Sequence, residues 1–140
     1  VIDWRAIREV FTVLRRGGII VLLSDWGWKP DGTPCMLFGR WTTLPSGPAV
    51  LAARGKAPII PFFVRREAPG KFYIAFGAPI DAGNGSPAAQ VAATQATAHA
   101  MEQLIRTEPT QWNCFKPLWP SAHEQERLKD LAAKMSAEVV

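Results

Sequence analysis

Asp25 stands two residues beyond a run of five apolar residues, Ile19, Ile20, Val21, Leu22 and Leu23, and is followed by Trp26, Gly27 and Trp28. A carboxylate just past the C-terminal end of a buried strand lies where ligands bind in open α/β sheets. The alternative role for Asp25 is structural, accepting local hydrogen bonds from the backbone of the Trp-rich loop. Ser46 and Gly47, set between Pro45 and Pro48, read as a turn entering a helix. Free backbone N–H groups and the positive end of a helix dipole there can receive a phosphate or an oxyanion. The same residues otherwise make only a tight loop-to-helix junction. Arg40, Arg65 and Arg66 offer planar guanidinium groups suited to phosphate. Their competing role is a surface ion pair, with Glu67 or Asp81 as the acid.

Several other chemistries are missing. His99 lies in a helical pattern with Gln103 and Leu104 four and five residues on, and His123 sits in a helix-capping sequence. No His/Cys/Asp cluster has ligand spacing, so no metal is expected. No G-x-S-x-G serine, P-loop or dinucleotide fingerprint occurs. Cys35 and Cys114 are too few for a disulfide framework and lack C-x-x-C spacing, so both read as reduced thiols. Trp26, Trp28, Phe38 and Trp41, with Met36 and Leu37, could form an interfacial surface, because an indole joins an apolar ring to a polar edge. Packed inward, they would be core.

A chain of 140 residues, 48% of them hydrophobic, can bury a core as one domain. Its net charge of +4 is uneven: ten Lys/Arg stand against five Asp/Glu in residues 1–70, and six against seven in residues 71–140. Four of the six Trp fall in the basic half. On charge alone that half suits anionic lipid head groups, a carrier-protein surface or nucleic acid, or is an ordinary basic surface. The basic residues carry no recognisable nucleic-acid motif, so nucleic acid is not expected as a partner. No run approaches the ~20 apolar residues of a membrane span, so membrane contact by these residues is expected at the interface.

The elements that would position the candidate residues follow from period and punctuation. Ile2, Ile7, Val10, Val13 and Leu14 recur on a helical period that stops at Gly17 and Gly18. Residues 19–23 read as a strand buried on both faces. Residues 26–43 contain Gly27, Pro30, Gly32, Pro34 and Gly39, too many breakers for a regular element of any length, with a short strand through 36–38. Ser46 is placed to cap a helix over 47–53, closed by Arg54 and Gly55. Residues 59–64 read as a second buried strand and 71–76 as a third, joined by a hairpin turn at 67–70. Ser86 and Pro87 open a long helix to about Arg106, with Val91, Ala98, Met101, Leu104 and Ile105 inward. A compact aromatic segment from Gln111 to Trp119 precedes a capping box at Ser121 and Glu124. The last helix carries a stripe of Leu128, Leu131, Ala132 and Met135. The alternation gives an α/β layered domain with a mixed, partly antiparallel sheet flanked by helices.

This order of segments resembles the bacterial acyltransferases that add the late acyl chains of lipid A, and their relatives that acylate phosphatidylinositol mannosides. Leu44-Pro45-Ser46-Gly47-Pro48-Ala49 is similar to the Met-Pro-Ala-Gly-Pro-Ala of the actinobacterial mannoside enzymes. Phe38-Gly39 resembles the family's Phe-Phe-Gly, and Pro109, Gln111, Trp112 and Trp119 its Pro-x-Gln-Trp/Tyr…Trp segment. Asp25 stands where the family has an acidic residue in an Asp-Gln or Asp-x-Asp context, although Trp26 and Gly27 replace the second member. The resemblance spans about residues 1–119. It implies a glycerolipid-acyltransferase-like fold, here incomplete, with residues 1–120 the C-terminal part of an acyltransferase domain and 121–140 a C-terminal amphipathic helix. It also implies acyl transfer from acyl-CoA or acyl-carrier protein, as co-substrate with no bound cofactor, to a hydroxyl of a lipid A precursor or phosphatidylinositol mannoside. The expected location is the cytoplasmic face of the bacterial inner membrane, against anionic lipid.

On the same resemblance, Asp25, Arg40, Ser46, Gly47, Arg65 and Arg66 are expected to bind substrate, and Trp26, Trp28, Phe38 and Trp41 to contact membrane or acyl chain. The family's general base is the His of a His-x-x-x-x-Asp/Glu motif, which these 140 residues do not contain. The opening Val1-Ile2-Asp3-Trp4, within a helical pattern and without Met, suggests a preceding part that carries it. The chain alone is then expected to supply scaffold and substrate contacts and to be catalytically silent. The competing expectation is a non-catalytic lipid- or partner-binding module on the same scaffold.

Overall fold

The computed structural model describes residues 4–138. Helix α1 (Trp4–Arg15) ends as its glycines dictate, with Gly17 at φ 74° and the Gly18 N–H donating to the Val13 carbonyl at 2.9 Å. Ile2, part of its expected stripe, lies outside the described residues. The expected strand at 19–23 does not form. Those residues are irregular, with Ile19 85% and Leu23 73% exposed. A strand buried on both faces needs strands beside it and layers above and below. Among the described residues, none pairs with this run.

Strands β1 (Thr33–Leu37) and β2 (Arg40–Leu44) form an antiparallel hairpin with Thr33 opposite Leu44 and Leu37 opposite Arg40. The breakers of residues 26–43 thus permit two strands where one short strand was expected. Phe38 and Gly39, at φ 50° and 74°, make the two-residue turn whose twist matches a hairpin. The remaining glycines and Pro30 fall before Thr33, and Pro34 sits on a strand of a two-stranded sheet, where a missing N–H is tolerated.

Helix α2 (Gly47–Gly55) begins with Pro48 in its first turn. Ser46 does not cap it as expected. Its backbone is already helical at φ −71°, ψ −18°, which carries its hydroxyl away from the capping geometry, and it makes no side-chain bond. The helix closes on Lys56 in the left-handed conformation, one residue beyond Gly55.

Strands β3 (Phe62–Ala68) and β4 (Lys71–Phe76) make the second antiparallel hairpin, from Phe62 opposite Phe76 to Arg66 opposite Phe72, with a bulge before Ala68 meets Lys71. The turn is as the sequence suggests, but β3 starts later than 59 and is not buried. Pro58 and Pro61 break the run, leaving Ile59 in a lone bridge to Ile80, and the two-stranded sheet has few covering side chains.

Helix α3 (Pro87–Thr107) is capped by Ser86, whose Oγ accepts from the Ala89 N–H at 3.2 Å. It buries Ala93, Thr94, Thr97, Ala98 and Ile105, whereas Val91, Met101 and Leu104 are only half-buried. Small side chains on that stripe let it lie close on β1. A 3₁₀ turn at Pro109–Gln111 and the aromatic segment lead to helix α4 (Ala122–Ala137), capped by Ser121 on the Glu124 N–H. Helix α4 packs on β1, β2 and α3 through Leu128 and Ala132, while Leu131 faces solvent. Cys35, Leu37, Leu44, Ala98 and Leu118 form one buried cluster, and Ala49, Ala52, Ala82 and Ala93 another. Among the described residues the result is an α/β arrangement of four α-helices and two separate antiparallel sheets.

Candidate functional site

Asp25 is held from far along the chain. Its Oδ2 accepts the indole N–H of Trp112 at 3.2 Å, and its carbonyl faces the Cys114 thiol at 3.8 Å. The Trp28 N–H donates to the Pro117 carbonyl at 3.0 Å. Gly27, at φ 107°, passes so close that a Cβ there would lie 2.8 Å from the Lys116 Cβ. The Lys116 ammonium in turn sits 4.2 Å over the ring of Trp26. The Trp-rich loop is therefore stitched to residues 112–117.

Ser24, the neighbour of Asp25, lines a gap of about 10 Å³ with Pro45, Pro48, Ala49, Thr94 and Thr97. That space holds a water at most. Asp25 and the N-terminus of α2 thus belong to adjoining segments. The N–H groups of Gly47 and Ala49 have no acceptor within the helix, as at any helix start, and Ser46 caps neither. A Cβ at Gly47 would meet nothing within 4 Å, so the backbone is approachable there. This region combines a carboxylate oriented by one indole with backbone donors and a positive dipole end, and can hydrogen-bond both a hydroxyl and an anion.

The arginines lie elsewhere. Arg40, at the start of β2, rests 5.2 Å over Trp119. Arg65 and Arg66 sit within β3, and neighbours on a strand point to opposite faces. Arg65 pairs with Glu67 at 3.3 Å, stacks on Tyr73 at 4.7 Å and buries its Nε without a partner. Asp81 instead accepts the Gly83 N–H. Arg66 lies 5.6 Å over Phe72 in an open groove of about 470 Å³, lined also by Val64, Thr110, Gln111 and Asn113.

The four aromatics differ in exposure. Trp26 is 55% exposed. Trp28 and Trp41 are half-buried, Trp28 with its indole nitrogen buried and unpartnered. Phe38 packs on the core beside Trp112, ring centroids 6.0 Å apart, under the Arg106 guanidinium.

Three side chains that tie these segments together escaped the sequence reading of sites. The Gln111 carboxamide accepts the Arg66 N–H at 2.6 Å and donates to the Arg66 carbonyl at 2.9 Å, standing in for a strand on the edge of β3. Gln95 does the same for Met36 on β1, at 2.8 and 3.0 Å. Glu102 accepts the Phe38 N–H at 2.6 Å and supports the tight turn. The available signal was spacing: Gln95 and Glu102 are seven apart and alternate with the buried positions 98 and 105 of α3.

The segment carrying Gln111 and Trp112 thus ties Asp25 to β3, and the start of α2 after Leu44-Pro45 adjoins Ser24. Residues 1–121 match the family model of the bacterial lipid A biosynthesis acyltransferases, and the chain belongs to that family. It is similar to the phosphatidylinositol mannoside acyltransferases of two Mycobacterium tuberculosis strains, CDC 1551 / Oshkosh and ATCC 25618 / H37Rv. Each is 28% identical over 121 residues. The matched region is 86% of this chain and 37% of each relative, so the chain spans well under half the length of the curated relatives it matches. Among the described residues, no helix is long and apolar enough to cross a membrane.

Proposed function

We propose that this chain is part of an O-acyltransferase that moves a fatty acyl group from an acyl thioester to a hydroxyl of a membrane glycolipid. The family match over residues 1–121 carries this reading. The mannoside relatives favour a phosphatidylinositol mannoside over a lipid A precursor as acceptor. The donor is acyl-CoA or acyl-carrier protein, and the reaction takes place at the cytoplasmic membrane surface, which the exposed Trp26 and the basic half of the chain approach.

In such a transfer the hydroxyl oxygen attacks the thioester carbonyl, its proton passes to a base, the carbonyl oxygen becomes an anion, and the thiol leaves. The base lies outside these 140 residues, since neither histidine has an acid five positions on. The helix entry at Ser46 and Gly47 presents the free backbone donors of Gly47 and Ala49 to the oxyanion or to a substrate phosphate. Asp25, oriented by Trp112, accepts hydrogen bonds from acceptor hydroxyls, and Arg40, Arg65 and Arg66 attract phosphate. The missing His-x-x-x-x-Asp/Glu equally suits a second reading, a non-catalytic lipid- or partner-binding module.

Labelled acyl-CoA and acyl-carrier protein, each offered with mannoside and lipid A precursor acceptors, separate the readings. The protein purified from its own cells is expected to form an ester, and the 140-residue chain alone none. Binding without ester from the purified protein selects the module. Ester made by the short chain and abolished by Asp25→Asn would place catalysis within it.

A further inference from the structure

The groove of about 470 Å³ is bounded by Val64, Arg66 and Phe72 on the β3–β4 hairpin and by Thr110, Gln111 and Asn113 on the segment after α3. Its volume falls within the ~300–1,000 Å³ of small-molecule sites. The cation in it is uncompensated. Glu67 serves Arg65 and Lys71, each at 3.3 Å, and among the described residues no carboxylate pairs with Arg66. Arg66 is also restrained twice, because Gln111 bonds both its backbone groups and its guanidinium lies 5.6 Å over the Phe72 ring. A planar fork so held loses little freedom on meeting a phosphate. The neutral groups suit hydroxyls. The Thr110 hydroxyl gives its proton to Glu108 at 2.8 Å, which leaves its oxygen as an acceptor. The Asn113 amide nitrogen donates to the Gln111 carbonyl at 3.4 Å, which leaves Oδ1 as a second acceptor. Val64 and Phe72 add an apolar wall against which the C–H face of a ring can pack.

We propose that this groove binds a phosphorylated polyol, a sugar or cyclitol phosphate, as the head group of the acyl acceptor. Arg66 meets the phosphate, Thr110 and Asn113 accept from ring hydroxyls, and Gln111 is a positioning residue that acts through Arg66. The nucleotide of an acyl-CoA donor also carries phosphate, but its base needs a ring to stack on. Phe72, the one aromatic among the lining residues, already lies under the guanidinium. The inference rests on the acyl-transfer reading for the role of the ligand as acceptor, and not for the binding itself.

Calorimetric titration of the gene-encoded protein with myo-inositol 1-phosphate, inorganic phosphate and adenosine 3′,5′-bisphosphate tests it, without recourse to activity. Inositol phosphate is expected to bind roughly 10-fold more tightly than either of the others, and Arg66→Gln to weaken it roughly 10–100-fold, the scale of a charge-assisted hydrogen bond. Asn113→Asp, which sets a negative charge beside the phosphate, should weaken it as well, and Thr110→Val should narrow the preference over inorganic phosphate. Gln111→Ala should weaken binding in the wild type and add nothing to Arg66→Gln, whereas a merely structural role would add its loss in both backgrounds. Inositol phosphate that does not bind, or that binds equally to the wild type, Arg66→Gln and Asn113→Asp, overturns the site. Inorganic phosphate bound as tightly as inositol phosphate overturns the polyol assignment, and adenosine bisphosphate bound more tightly at Arg66 gives the groove to the donor instead. Inositol phosphate bound through Arg66 by a protein that makes no ester keeps the site and refutes the acyl-transfer reading.

Discussion

Asp25 and Trp112 are 87 residues apart in sequence, yet one hydrogen bond joins them. Trp112→Phe keeps the ring against Phe38 and removes the donor, so a loss of about 1–2 kcal/mol is expected in urea unfolding. A double-mutant cycle with Asp25→Asn should show that the two changes are not additive. Cys35 gives a second residue-scale expectation. Burial, aided by the charge of Glu102 and opposed by a backbone hydrogen bond at Leu44, pushes its thiol from 9.0 up to about 12. The folded chain therefore holds this proton where the unfolded chain releases it, and the associated stability is lost as pH rises from 9 towards 12. Melting followed from pH 8 upward should fall more steeply for the wild type than for Cys35→Ala. At pH 8, iodoacetamide should label the half-buried Cys114 before the buried Cys35. The chemistry of Asp25 as a carboxylate beyond an apolar run was legible in the sequence. Its partner was not, because a carboxylate and an indole distant in sequence carry no local signal of contact.

At the scale of elements, two serines that look alike in sequence behave differently. Ser86 has extended backbone and caps α3, whereas Ser46 is already helical and caps nothing. Ser86→Ala should cost ~1 kcal/mol and Ser46→Ala much less, read from the same thermal unfolding series. The helices were legible because caps, prolines and apolar period are local. The β3–β4 turn was legible for the same reason, through Pro69 and Gly70. The run at 19–23 misled, since an apolar pentad becomes a strand only when other strands flank it. The β1–β2 hairpin was obscured by glycines and prolines that lie at its turn, before it or on its edge.

For the whole molecule, the alternation of helix and strand was enough to indicate an α/β class, but not that the strands would stand in two separate sheets. Sheet assembly depends on what lies between and beside the strands, and here α3 and α4 cover β1 and β2 while the second hairpin stays bare on one face. The central functional claim is that the start of α2 receives a substrate phosphate or the thioester oxyanion, and Gly47→Val in the gene-encoded protein tests it most directly. Valine is no poorer a helix former than glycine, and a Cβ at this position meets open space, so the melting temperature is expected to hold. Acyl transfer, measured as kcat/KM, is expected to fall by roughly 100-fold, the scale of losing one oxyanion donor. A Gly47→Val protein as active as the wild type and equally stable would contradict the assignment.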